Sequence, residues 1–426
     1  MRGRAIAVQV QTNDIVASTK ASRSHWVLAG LFGLGGFVGY LDRVNLSVIA
    51  TPIAHELNLS NAGLGVVLSA FLWSYGLAQV PAGIIIDRFG TRLPVLISVI
   101  VWAISSFISA FVGSVIGLCL ARLLLGLSEA SIYPAMWRAV TERFSPAERG
   151  RATSCLDIGS KLSYVFGVPV IAGVLAYANW RACFLLTAAI SLAYAALFAV
   201  IYPKDLPAGD GRRGLSSVAG SLKAMIPTRA IAGVAIGFAS YTYVYYLLAT
   251  WMPRLVELQL GVSTVHAGLY TALPWIVAVA GEVLVAGFLV DRLVLAGYDP
   301  IGVRKYMLAI SLLASLMLVG AAYSHSFLIV MGCLTFSATG LAISTPLGVS
   351  MIGFVAGREN LGAVGASVNL VANISGAFAP VLTGFLLDRT GSFLGAAAGA
   401  GVVIALGVVG YTIVVPSPAA LAAERD

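Results

Sequence analysis

Three pairs of ionisable side chains stand inside stretches that are otherwise apolar: Asp42 with Arg43, Arg122 with Glu129, and Asp157 with Lys161. A charge at the depth of a bilayer is costly unless it is paired or wetted, so such residues read first as functional. The chemistry on offer is of two kinds. Arginine stays charged at any relevant pH and presents a planar fork matched to a carboxylate, which makes Arg43 and Arg122 anchors for an organic anion. A partly desolvated carboxyl can carry a proton, the role expected of Asp42 and Glu129. Together these groups are expected to line one wet cavity that takes up an organic anion along with protons.

Spacing constrains how they act. Asp42 and Arg43 are adjacent, so on a helix they point ~100° apart and cannot serve one pocket in the same way. The alternative for them is a fixed pair that braces two helices. Arg122 and Glu129 share a face but stand ~10 Å apart along the axis, too far to be natural partners. Glu129 is therefore expected to meet Arg43 until a substrate carboxylate displaces it as Glu129 takes a proton. Tyr133, one turn beyond Glu129, belongs to the same stripe.

Asp157 and Lys161, four apart, read first as neutralising each other and second as ligand groups. If Lys161 faces the cavity, it adds a cation that suits a doubly charged substrate. Glu282 could pair with Lys161 or with an arginine. Asn369 and Asn373 share one helix face and can both donate and accept, as a polyol requires, or act as interhelical glue. Asp87, Arg88 and Arg92 fall at a membrane edge, where a carboxylate can cap a helix or pair with arginine; a gating role between halves is expected. Glu142, Arg143, Glu148 and Arg149 are available partners. Gly35 and Gly39 permit close helix approach.

The elements that must position these groups are membrane helices. Of 426 residues, 59% are hydrophobic and only 10% charged. Runs of ~20 apolar residues, each long enough to cross ~30 Å of hydrocarbon, recur along the chain. Twelve spans fit, near 25–50, 60–86, 93–112, 115–140, 152–177, 181–202, 228–252, 264–290, 303–322, 326–350, 361–387 and 391–415. The formal charge of +8 raises the question of nucleic acid, but its placement answers it. Arg181, Arg254 and Arg389 fall on one side, Arg43, Arg122 and Lys161 within the membrane, and about 20 of the 26 basic residues on the other side. That asymmetry is the positive-inside signature, so both termini are expected in the cytoplasm and no nucleic acid as partner. Cys119, Cys155, Cys183 and Cys333 have neither disulfide nor metal spacing, so no metal and no cofactor are expected beyond protons as coupling ion.

The domain organisation follows: a cytoplasmic tail 1–24, a six-helix bundle 25–202, a linker 203–227, a second bundle 228–415 and a tail 416–426. The halves echo each other. Gly83-x-x-x-Asp87-Arg88 ends the second span and Gly287-x-x-x-Asp291-Arg292 the eighth. Pro169-x-x-x-Gly173 in the fifth matches Pro380-x-x-x-Gly384 in the eleventh. Such repeats imply two pseudosymmetric bundles around a central path, with the site between them.

The loop Gly83-x-x-x-Asp87-Arg88-Phe-Gly90-Thr-Arg92 resembles the signature between helices two and three of the major facilitator superfamily, with Thr91 where Arg or Lys is usual. Within it, the chain resembles the anion:cation symporters, among them bacterial hexonate and hexuronate proton symporters. The matching stretches are Asp42-Arg43-Val-Asn45-Leu-Ser, Arg122-Leu-Leu-Leu-Gly126-Leu-Ser-Glu129-Ala, Phe144-Ser-Pro146-Ala-Glu148-Arg149-Gly150-Arg151-Ala152, Trp180-Arg181, Thr250-Trp251-Met-Pro253 and Asn369-x-x-x-Asn373. The resemblance implies an all-α fold of twelve transmembrane helices, substrate contact at Arg43 and Arg122, and proton coupling at Asp42 and Glu129. Register against Thr250-Trp251 adds Tyr243, with Tyr75 as a similar choice. Ser160 stands where hexonate carriers often have Gln, and Lys161 and Glu282 depart from the family's pattern.

The expected function is proton-coupled uptake of a small organic anion, a hexonate or hexuronate, across a bacterial inner membrane by a monomer that is not an enzyme. The alternatives are an uncoupled facilitator or exchanger for aromatic or dicarboxylic acids, and a membrane-embedded enzyme or receptor. The last lacks a metal-ligand cluster and a nucleophile with its base.

Overall fold

The computed structural model describes residues 23–145, 148–204 and 228–416. Most of the expected tails and linker, together with Pro146, lies outside the described residues. Among the described residues, twelve helices are long and apolar enough to cross a membrane: α1 Arg23–Val48, α2 Asn61–Phe89, α3 Arg92–Phe111, α4 Val115–Arg143, α5 Arg151–Tyr177, α6 Trp180–Ile201, α7 Arg229–Leu260, α8 Thr264–Leu295, α9 Pro300–Tyr323, α10 Phe327–Ala356, α11 Val364–Thr390 and α12 Phe393–Val414.

Their starts are written in the sequence. The side chains of Ser60, Ser114, Asn179, Thr228, Ser263, Asp299 and Ser392 each accept from a backbone N–H in the first turn of the helix that follows. These caps satisfy donors that a helix start leaves unpaired. Gly261 and Gly391 end α7 and α11 with left-handed φ of 62° and 65°. Two boundaries differ from expectation. Helix α7 runs through Pro253 to Leu260, eight residues past the predicted end, and stops only at Gly261. The backbone from α10 into α11 stays helical throughout Phe327–Thr390, across the predicted break; residues 351–360, where the break is expected, carry glycines but no proline to interrupt the helix.

Glycine lets the helices of each half approach closely. A Cβ at Gly159 of α5 would strike the carbonyl of Gly33 on α1, and one at Gly126 of α4 would strike Ser74 and Phe71 on α2. In the second half, Gly237 of α7 receives the ring of Tyr411 on α12, and Gly340 of α10 meets Ser311 on α9. Three stretches widen to π-helix: Ser163–Gly167 in α5, Val283–Leu289 in α8 and Gly410–Val414 in α12.

The two halves meet unevenly. At the end holding the start of α2, Asp388 of α11 accepts from the backbone N–H groups of Asn61 and Ala62 at 2.9 and 2.8 Å. Gly65 faces the Pro380 carbonyl, and Gly384 faces that of Asn61. Ser47 donates to the Thr250 carbonyl at 3.0 Å, and Thr51 to Glu257 at 2.6 Å. Among the described residues, these backbone contacts between the halves stand at one end, where the molecule is closed.

Candidate functional site

Just inside the closed end lies a hollow lined by Arg43 of α1, Leu68, Phe71 and Leu72 of α2, Arg122 of α4, Tyr164 of α5, and Tyr246, Ala249 and Thr250 of α7. About 380 Å³ of space lies between these atoms, including the part open to solvent. Both halves contribute walls.

Arg43 is the centre of the site. Its Nε and Nη2 donate to one oxygen of Glu129, at 3.0 and 2.9 Å. The rings of Tyr40, Phe71 and Tyr75 surround its guanidinium carbon at 4.3, 4.6 and 4.5 Å. Each such contact contributes about 1 kcal/mol and, together, they fix the plane of the fork. Arg122 is 2% exposed, and its ring neighbour is Phe71 at 5.5 Å. Its Nη1 makes one long contact of 3.5 Å to the Asp42 carbonyl. Among the described residues, Arg122 Nε and the second oxygen of Glu129 have no hydrogen-bond partner. A buried cation with an unmet donor is a place built for an acceptor.

Asp42 does not share the hollow. It is fully buried, and its carboxylate accepts from the Trp102 indole N–H, from Ser106 at 2.7 Å and from Ser191 at 3.5 Å. The expectation of one wet cavity holding both acids is thus corrected: the ~100° between neighbours turns Asp42 into the first bundle while Arg43 faces the path. The two acids are linked indirectly. Gly39 leaves room for both the Trp102 ring and Glu129, which stand within 3.3–3.5 Å of where its Cβ would be.

The other predicted residues divide. Tyr75 stacks on Phe71 at 5.3 Å and joins the Arg43 cage. Tyr133 is half-buried and packs on Trp137 at 6.1 Å. Tyr243 is buried but takes no part in the lining; Tyr246, three residues on, does. Ser160 turns back and donates to the Asp157 carbonyl at 2.7 Å. Asn369 donates to Gln79 of α2 at 2.7 Å, and Asn373 packs beside Gly76, so both work as ties between α11 and α2. Lys161 bonds to Asp157 at 2.7 Å and to Glu282 of α8.

The expected gate also differs. Arg92 donates to the Ala199 carbonyl at 2.7 Å, the Asp87 carbonyl accepts from Arg138 at 3.0 Å, and Arg88 lies over Phe89 at 5.3 Å. These contacts stay within the first half. They lie away from the closed end and do not themselves join the halves. Sequence reasoning missed Phe71, Tyr164, Tyr246 and Trp102. The pairs Phe71–Tyr75, Tyr246–Thr250 and Trp102–Ser106, each at i,i+4, carried the signal.

Comparison with known proteins agrees with this architecture. The sequence profile described as Major Facilitator Superfamily matches residues 32–300. The uncharacterized transporter YybO of Bacillus subtilis is 30% identical over 414 residues, 93% of this chain and 95% of the relative. A probable L-galactonate transporter of Escherichia coli is 27% identical, covering 94% and 91%. The hexuronate transporter of Bacillus subtilis is 27% identical, covering 92% and 96%. Among solved structures, a D-xylose-proton symporter superposes with a TM-score of 0.68 at 16% identity, covering 92% of this chain and 96% of that one. The nucleoside transporter NupG superposes at 0.73 and 13% identity, covering 92% and 98%. The chain belongs to the major facilitator superfamily. It is a multi-pass membrane transporter and not an enzyme.

Proposed function

We propose that the protein is a proton-coupled symporter that carries a small organic anion, a sugar acid, across a bacterial inner membrane by alternating access. The observation that carries this reading is the pair of permanent cations on the central path, Arg43 held by one neutralisable carboxylate and Arg122 with a donor unmet. The names of the relatives support it: they include transporters for L-galactonate, hexuronate, and galactarate with D-glucarate.

The cycle follows from charge balance. With the hollow empty, Glu129 neutralises Arg43. A proton on Glu129 weakens that pair and frees the guanidinium fork for a substrate carboxylate, which also answers the unmet Nε of Arg122. Cation, anion and neutral acid together leave the loaded hollow with the same net charge as the empty one, so reorientation carries no added uncompensated charge into the hydrocarbon. By the positive-inside reading, the closed end faces outward, so the hollow opens toward the cytoplasm. Asp42 acts indirectly, through Trp102 and through its carbonyl on Arg122.

Purified protein in liposomes tests this. The native chain should accumulate galactonate or glucuronate against a gradient when a pH difference is imposed. Glu129→Gln and Asp42→Asn should lose accumulation while one-for-one substrate exchange survives. Retained pH-driven accumulation in both variants would count against these two acids as the coupling groups, and a native chain that exchanges substrate without accumulating it would instead support a facilitator or exchanger.

A further inference from the structure

Lys161 is a third cation at membrane depth, and the Arg43–Glu129 pair leaves it unused. Its ammonium lies between Asp157 of its own helix and Glu282 of α8, so its neutralisation spans both halves. It stands about 4.5 Å along α5 from Tyr164. Tyr164 lines the hollow, stacks on Trp275 at 4.3 Å and meets the Tyr40 ring edge-on at 6.0 Å. Tyr40 in turn lies on the Arg43 guanidinium. A short aromatic path therefore runs from Tyr164, three residues beyond Lys161 on α5, to Arg43.

Two further observations separate this cluster from a dry brace. Solvent reaches it: the side chains of Asp157, Lys161 and Glu282 are 41%, 16% and 13% exposed, whereas Asp42 is sealed. Both helices also leave α-geometry beside it. The π turn Ser163–Gly167 begins two residues after Lys161, and Val283–Leu289 begins directly after Glu282. Such turns recur at functional sites.

We propose that Lys161 is a second anion-binding point with Glu282 as its displaceable counter-ion, so that the preferred cargo is a diacid with one acidic group on Arg43 and the other on Lys161. This rests on the reading of the protein as an organic-anion carrier. The two points share one logic: each cation is held in the empty state by a carboxylate that a substrate group can replace, Glu129 on Arg43 and Glu282 on Lys161. Asp157 stays as the local partner of Lys161, four residues away on the same helix. Glu282, once displaced, turns to the water that reaches the cluster. A monoacid reaches Arg43 and leaves the Lys161–Glu282 tie intact. A diacid replaces that tie between the halves with one that runs through the cargo.

Calorimetric titration of the purified full chain with matched acids tests the proposal: galactonate against galactarate, and benzoate against phthalate. In the native protein, at least one diacid should bind about tenfold or more tightly than its monoacid partner, the effect of one charge-assisted contact. Lys161→Gln should bring that ratio close to one, and Lys161→Arg, which keeps the charge, should preserve most of it. A native protein that binds the monoacids as well as the diacids overturns the proposal while sparing the carrier reading. So does a diacid preference that survives in Lys161→Gln. A folded native protein that binds none of the four acids counts against the carrier reading itself, and the proposal falls with it.

Discussion

Three rings and one carboxylate hold the guanidinium of Arg43, so its fork is oriented before any ligand arrives. Lysine at this position would keep the charge but lose the planar pair of donors and much of the stacking. Arg43→Lys should therefore weaken substrate binding by about 10–100-fold with little change in thermal stability, since Glu129 stays neutralised. Titration and a melting curve on the same sample separate the two effects. A second residue-scale prediction lies outside the spans. Glu56 accepts from Arg181 at 2.9 Å and from the Trp180 indole at 2.7 Å. The hydrogen bond from Arg181, with that from Trp180, holds the Glu56 carboxyl below its usual value. A depressed folded-state value means a contribution fully present above the unfolded glutamate range and lost as pH falls through the folded value. Glu56→Gln should thus lower the melting temperature slightly at neutral pH and make no difference at strongly acid pH. At this scale the sequence is legible where a charge sits among apolar residues, as at Arg43, Glu129 and Lys161. It is not legible among Tyr241, Tyr243, Tyr245 and Tyr246, four rings within six residues that cover most of a helix's circumference. Only packing selects Tyr246 for the hollow and turns Tyr245 to bond with Tyr164 at 3.1 Å.

Helix α11 closes on α2 through glycine as well as through side chains. Gly384 rests against the Asn61 carbonyl with no room for a Cβ. Gly384→Val should hold the two helices apart and shift the population toward molecules open at this end. The check is labelling of Thr51→Cys by a membrane-impermeant maleimide, in a background stripped of the four native cysteines: it should rise several-fold, and unchanged labelling would contradict a closure made here. The twelve apolar runs and their caps made the helices readable in advance. Their ends were less so. Pro253 looks like a stop, yet a helix can carry it by giving up one hydrogen bond, and Arg254 pairs with Glu257 at 3.3 Å in the turn beyond. The π turns of α5 and α8 have no composition of their own, and packing decides them.

For the molecule as a whole, the internal repeats announce two halves, and corresponding helices do the closing: α2 on α11, and α8 on α5, where Gly268 meets Ala172. Which end is closed is not in the sequence, because a transporter's alternate conformations share one sequence. Asp87, Arg88 and Arg92 lie at the end away from this closure, so a latch made through them would belong to the alternate conformation. The loss of pH-driven accumulation in Glu129→Gln is a prediction at this scale too, since it measures whether titration at one carboxyl is transmitted to the motion of both bundles. Where α2 meets α11, main chain lies directly on main chain, at Gly65 with Pro380 and at Gly384 with Asn61. Surfaces that touch through their backbones leave no bead of water between them, and a hydronium relay needs such beads. A standing ion gradient across the bilayer accordingly finds no short circuit along this seam.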